Sequence, residues 1–238
     1  MKMVTQWAEV LLPMKSDVTK ILHDARQTGE NILFEGAQGS LLDIDHGTYP
    51  FVTSSNTTAG STATGSGFGP LYLDYVLGIT KAYTTRVGSG PFPTELNDKV
   101  GQKLGEKGHE FGTVTGRKRR CGWFDAVTVR QAVMVNGITD LAVTNFDGLD
   151  TLPEIKICVA YKAGSKRFEL QPSDLKLLTK CKPVYEIIPG WQKPTDKIRN
   201  WKDLPLNARR YGQALAKLTG TKLRFASVGP ARSQTITL

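Results

Sequence analysis

Short apolar strands that run directly into polar or glycine-rich residues, alternating with amphipathic helices, constrain this chain more than any other feature. Asp140-Leu141-Ala142-Val143-Thr144 is an apolar run that ends at Asn145-Phe146-Asp147. A helical period over 124–136, stopped by Gly137, precedes it. A helix over 206–218, Gly220 as its stop, and a strand over 222–226 leading into Ser227-Val228-Gly229-Pro230 repeat the unit. Strands and helices in this order predict an α/β fold with a mainly parallel central sheet flanked by helices. Period-two alternation over 155–161, 167–170 and 184–188 predicts a small antiparallel strand insertion over about 150–190.

Apolar spacing from Trp7 to Ala25 predicts one helix kinked at Pro13 and stopped near Gly29. Asn31-Ile32-Leu33-Phe34-Glu35 predicts a buried strand entering Gly36-Ala37-Gln38-Gly39. Residues 43–69 are rich in Gly, Ser and Thr, a long loop of the kind that carries function or is disordered. Pro70 opens a helical stretch to about Val76, residues 79–85 predict a strand, and 99–107 a surface helix. No repeat, low-complexity tract or linker divides the chain, so residues 1–238 read as one unit.

Several classes are excluded by composition. No apolar run reaches the roughly 18 to 20 residues that cross a bilayer. The start, Met1-Lys2-Met3-Val4-Thr5-Gln6, is not followed by an apolar signal core, and no membrane partner is expected. Cys121, Cys158 and Cys181 are widely spaced, with no CxxC pair, which argues against a disulfide scaffold and a structural zinc site. A formal charge of +9 favours anionic partners, whether nucleic acid, phosphorylated metabolites or acidic surfaces.

In an open α/β sheet, ligands collect beyond the carboxyl ends of strands. Three predicted strand ends carry suitable residues: Gly36-Ala37-Gln38-Gly39, Asn145-Phe146-Asp147 and Ser227-Val228-Gly229. Each also fits an ordinary connecting loop, and none is a complete GxxxxGK[ST] phosphate loop. Thr113-Val114-Thr115-Gly116 precedes the tetrad Arg117-Lys118-Arg119-Arg120, packing hydroxyls, a glycine and four cations into eight residues. Such a loop suits carboxylates and phosphates, because Arg grips both through its planar fork. The same residues fit a solvated charge run or a nucleic-acid patch, although aromatic residues do not interleave with them in an RNA-binding signature. Asp147 at a strand end has the chemistry to accept from guanine's ring N1–H and exocyclic amine; an Asp in a plain turn is the bland alternative. His46, between Asp45 and Gly47, reads as a base or as a turn residue.

These segments together resemble adenylosuccinate synthetase: Phe34-Glu35-Gly36-Ala37-Gln38-Gly39, Leu42-Asp43-Ile44-Asp45-His46-Gly47-Thr48-Tyr49-Pro50, Val52-Thr53-Ser54-Ser55-Asn56-Thr57, Gly90-Pro91-Phe92-Pro93-Thr94-Glu95-Leu96 and Thr115-Gly116-Arg117-Lys118-Arg119-Arg120. The resemblance covers essentially the whole chain from about Trp7. It implies the P-loop-like ligase fold of that family and a GTP- and Mg²⁺-dependent ligation of IMP and L-aspartate, giving adenylosuccinate, GDP and phosphate in purine biosynthesis. It further implies a cytoplasmic homodimer. By resemblance, Gln38 is the catalytic glutamine on the hypoxanthine, Thr53 lies near the IMP phosphate, and Val87 lines the IMP ribose. Residues Thr113, Val114, Thr115, Gly116, Arg117, Lys118 and Arg119 match the loop that closes on aspartate, with Arg117 also near IMP and Arg119 also near GTP. Asp147 matches the guanine-reading carboxylate, Asn145 stands beside it, and Ser227, Val228 and Gly229 match the segment packed on the guanine base.

Two departures from the family pattern stand out. The family commonly has Lys where this chain has Asn145. Its members also run to about four hundred residues or more and begin with a Gly-Asp-Glu-Gly-Lys-Gly-Lys loop that has no counterpart here. The chain therefore resembles the C-terminal portion of such an enzyme, with most Mg²⁺ ligands and the catalytic base expected elsewhere, no metal ligands of its own, and negligible ligase activity alone. The alternatives are a non-catalytic nucleotide- or nucleic-acid-binding module and a fragment that folds on its surviving sheet.

Overall fold

The computed structural model describes residues 2–112, 116 and 118–238. It begins with α1 (Lys2–Leu11), a 3-10 turn at Leu12–Met14 and α2 (Val18–Gln27), followed by α3 (Ser61–Ser66). Next come β1 (Leu77–Lys81), β2 (Thr84–Arg86), α4 (Lys99–Lys107), β3 (Arg120–Gly122) and β4 (Phe124–Asp125). The chain continues with α5 (Ala126–Asn136), β5 (Asp140–Thr144), β6 (Glu154–Ala163), β7 (Lys166–Phe168), α6 (Leu175–Lys180) and β8 (Lys182–Pro189). It ends with α7 (Leu206–Thr219), β9 (Lys222–Ser227) and β10 (Thr235–Thr237).

The central sheet has the order β1-β5-β9-β10. The first three strands are mutually parallel and β10 is antiparallel to β9. Lys81 pairs with Thr144, and Val143 with Ala226, so the carboxyl ends of β1, β5 and β9 lie side by side. In the second sheet β6 pairs antiparallel with β7 and β8 and parallel with β4. The fold is thus α/β, mainly parallel at its centre, with smaller antiparallel sheets.

Local chemistry accounts for the helix boundaries. Asp98, Asp125 and Asp174 each accept from backbone N–H groups of the first turns of α4, α5 and α6, satisfying donors that a helix start leaves free. Helices α5 and α7 stop at Gly137 and Gly220, both left-handed at φ 66° and 70°, a conformation that glycine adopts without a Cβ clash.

Three expectations differ from the structure. The helix foreseen over 7–25 is two helices, because Pro13 sits in the 3-10 turn between them and has no N–H to continue a helical ladder. Residues 31–35 form no strand: they pair with no neighbour among the described residues, and Leu33 is 93% exposed. After Pro70 the helix extends only through Tyr72, and the strand foreseen over 79–85 divides into β1 and β2 at the buried pair Ala82 and Tyr83.

The core joins the central sheet to α5, α7 and β6. Phe146, fully buried one residue before Asp147, packs on Trp191, Trp201 and Tyr211 with ring centroids 6.2, 6.3 and 6.1 Å away. Tyr211 Oη also donates to the Ala82 carbonyl at 2.5 Å. One aromatic cluster therefore holds the turns after both β1 and β5, the place where a ligand would lie.

Candidate functional site

The parallel register brings together Lys81, Thr144 and Ser227 at the carboxyl ends of three neighbouring strands. A cleft of about 270 Å³ runs along that part of the sheet, lined by Ile79, Thr144, Phe225 and Ser227 among others. Asn145 leaves β5 in the left-handed region at φ 61°, and its Oδ1 accepts from Thr144 Oγ1 at 2.9 Å. Few residues other than glycine adopt this conformation readily, and Asn is one of them. The following 3-10 turn, Phe146–Leu149, then places Asp147 against the core.

Asp147 is half-buried, yet its Oδ1 is sealed from solvent and has no hydrogen-bond partner. Burial, with the charge of Asp150 second, raises the pKa of its carboxyl. Asp150 itself is satisfied, accepting from Trp191 Nε1 at 2.8 Å, Thr195 N at 2.9 Å and Thr195 Oγ1 at 2.8 Å. Unsatisfied buried oxygens are rare because each loses its hydration without compensation. A ligand presenting N–H donors would supply what Asp147 lacks. At the end of β9, Ser227 Oγ donates to the Gly229 carbonyl at 3.3 Å, and the buried Val228 donates its N–H to Gln234 O at 3.0 Å. A Cβ on Gly229 would lie 2.3 Å from Gln234 Nε2, so any larger residue there would have to displace the end of the Gln234 side chain.

The basic loop begins at Glu110 and closes at Arg119. Arg119 N donates to the Glu110 carbonyl at 2.9 Å, and a single antiparallel bridge joins Phe111 and Lys118. Gly116 is exposed at φ 62°, and Lys118 is exposed. The predicted residues Thr113, Val114, Thr115 and Arg117 lie outside the described residues.

Gln38, Thr53 and Val87 belong to a second group of loops. Gln38 is exposed and left-handed at φ 61°, a conformation that costs a non-glycine residue energy and marks functional segments more often than ordinary loops. Thr53 is half-buried and donates its N–H to Leu42 O at 2.8 Å. Val87 is half-exposed beside Gly88.

Three charged residues whose structural part the sequence did not show hold this second group. Asp43, fully buried, accepts from the backbone N–H groups of Asp45, His46, Thr57 and Thr58 and from Asn56 Nδ2, at 2.6 to 3.3 Å. Burial raises its pKa, but these donors outweigh burial and hold the carboxyl far below its ordinary value. His46 is thereby a turn residue that gives its N–H to Asp43. The buried Arg86 donates to Thr48 Oγ1 and to the carbonyls of Phe51, Ser89 and Pro91. Arg120 grips both carboxylate oxygens of Glu95, at 2.6 and 2.5 Å, and donates to the carbonyls of Gly88 and Gly90. In the sequence Arg86 is an isolated charge with no local signal, Asp43 heads an Asp-x-Asp turn, and Arg120 stands out only as the last cation of the basic tetrad.

Among the described residues no three or more His, Cys, Asp and Glu side chains cluster as metal ligands, and no helix is long and apolar enough to cross a membrane.

The sequence profile of the family described as Adenylosuccinate synthetase matches residues 1–236. Adenylosuccinate synthetases of Pseudomonas aeruginosa and Chromohalobacter salexigens are each 58% identical to this chain, over 233 and 231 residues. Those matches cover 98% and 97% of this chain and 54% of each relative, so the chain spans about half their length. A solved structure, fully ligated adenylosuccinate synthetase from Plasmodium falciparum, superposes with TM-score 0.94 at 37% identity. It covers 100% of this chain, which spans 57% of it. The succinoaminodeoxyadenylate synthetase of cyanophage S-2L, at 18% identity, TM-score 0.57 and 92% coverage of this chain against 49% of its own, shares the fold.

Proposed function

The chain belongs to the adenylosuccinate synthetase family, and on that premise we propose that it serves the GTP-dependent ligation of IMP and L-aspartate to adenylosuccinate. The observation that carries this reading is the buried, unpartnered Oδ1 of Asp147 at the carboxyl edge of the parallel sheet. Guanine offers the N1–H and exocyclic amine that such an acceptor needs; adenine presents no such donor pair. Ser227, Val228 and Gly229 would cover the base, and Asn145 would hydrogen-bond it in place of the family's lysine.

Gln38 would hold the hypoxanthine, with Thr53 near the phosphate and Val87 beside the ribose of IMP. The loop from Thr113 through Val114, Thr115, Gly116, Arg117 and Lys118 to Arg119 would close on aspartate, with Arg117 also reaching IMP and Arg119 also reaching GTP. Cations suit an amino acid with two carboxylates, and closure that excludes water favours attack by its amine. Magnesium would arrive with the nucleotide's phosphates and offset their charge. The chain is read as a portion of one synthetase domain, with residues 150–190 as an antiparallel insertion, acting in a cytoplasmic homodimer.

The test is a calorimetric titration of the 238-residue chain with GDP and with ADP, IMP and Mg²⁺ present. Selective GDP binding is expected. Equal affinity for both nucleotides, or binding of random duplex DNA that GDP and IMP do not displace, would replace this reading with the non-catalytic alternative.

A further inference from the structure

Glu110 is fully buried, and its carboxylate gathers groups from three residues. Lys81 Nζ, from the last residue of β1, donates at 2.5 and 2.6 Å, and Tyr83 Oη donates at 2.7 Å. Arg119 Nη1 donates at 3.1 Å, while the Arg119 N–H reaches the Glu110 carbonyl at 2.9 Å. The two residues thus meet through both backbone and side chain at the base of the basic loop. Glu110 N in turn donates to Gly105 O at 2.9 Å, tying this base to α4.

Three further observations show what the cluster does. Arg119 Nε is buried without a partner, so Glu110 satisfies only part of the guanidinium. Two cations on one carboxylate leave a surplus positive charge, with Lys81 and Arg119 each about a quarter to a third exposed. A Cβ on Gly108 would lie 1.9 Å from Tyr83 Oη, so the turn leading to Glu110 is closed around the tyrosine. A buried carboxylate that loses its charge here would leave Lys81 and Arg119 as adjacent like charges in a poorly hydrated site, where their repulsion is strong.

We propose that Glu110 is a positioning residue that fixes the Arg119 guanidinium, and the stem of the loop it ends, for contact with the nucleotide. Lys81 and Tyr83 hold the carboxylate from the strand side, so the loop stem is registered to the carboxyl end of β1. The inference rests on the functional reading that Arg119 reaches GTP. It adds that this cation acts only while Glu110 holds it, and that base recognition through Asp147 is independent of the pair.

The experiment is a double-mutant cycle on the 238-residue chain, with Glu110→Gln, Arg119→Ala and the double variant titrated with GDP and ADP under the same conditions. Glu110→Gln is expected to weaken GDP binding about tenfold while the ratio of GDP to ADP affinity stays within about twofold of wild type. In the Arg119→Ala background the same change should cost less than about twofold, because the group it positions is gone. Should Glu110→Gln not fold, the cycle run with Glu110→Asp reads the same coupling. Unchanged GDP affinity in the Glu110 variant, full tenfold losses that multiply in the double variant, or collapse of the GDP-to-ADP ratio would each overturn the inference and leave the functional reading intact. A wild-type chain without GDP preference would overturn that reading, and this inference with it.

Discussion

Arg86 Nη2 donates to Thr48 Oγ1 at 2.7 Å, linking residues 38 positions apart inside the protein. Its other donors hold the carbonyls of Phe51, Ser89 and Pro91. Burial, and then the nearby Arg120, lower its pKa, a cost that these acceptors offset. Arg86→Met would leave the carbonyls and the threonine without their donor, costing about 3 kcal/mol. Thermal unfolding should show Tm lower by about 6–12 °C. IMP binding should weaken as the Thr48 to Phe51 turn loosens, while GDP binding persists. A variant that melts with wild type would contradict this role.

Asp125 gives a pH dependence of defined sign. Burial raises its pKa, and although Tyr161 and the N–H groups of Thr128 and Val127 oppose that rise, the carboxyl stands at about 6. An unfolded Asp titrates near 4. Between about pH 4 and 6 the folded state therefore binds more protons than the unfolded one, and this group's contribution to stability falls as pH rises through that window. Raising a carboxyl from near 4 to about 6 corresponds to roughly 3 kcal/mol between the two ends of the window. Asp125→Asn keeps an acceptor for the start of α5 and loses the titration. Denaturant midpoints of wild type minus variant should fall from about pH 4 to 6 and flatten above; a constant difference would refute the assignment.

Asn145 leaves β5 in a left-handed conformation at φ 61°. Lysine tolerates that conformation less well, by about 1 kcal/mol. Asn145→Lys should accordingly lower stability by about that amount and tighten GDP binding through the alkyl stem that a lysine can lay against a base. Chemical denaturation and titration of one preparation separate the two effects. Looser GDP binding would show that this chain's turn is built for asparagine.

The elements that local chemistry determines were legible in the sequence. β5 at 140–144 and α4 at 99–107 form with the expected bounds, and the glycine stops after α5 and α7 stand where expected. The strand foreseen over 31–35 did not form, because an apolar run becomes a strand only beside another. Asp147 and Ser227 could be placed at strand ends from pattern alone, but their adjacency depends on the order β1-β5-β9. Arg86 and Glu110 were illegible for the same reason. Each is one charge in a loop or short strand until distant segments deliver its partners.

The most direct measurement is thermal unfolding of wild type and Asp147→Ala with GDP, with ADP and without nucleotide. A ligand that binds only the folded chain adds about 2.7 kcal/mol at a hundredfold excess over its Kd, or about 5–10 °C in Tm. The account predicts that shift for wild type with GDP, a much smaller one with ADP, and loss of the difference in Asp147→Ala. Equal shifts with both nucleotides in wild type, or a GDP preference that survives Asp147→Ala, would contradict it.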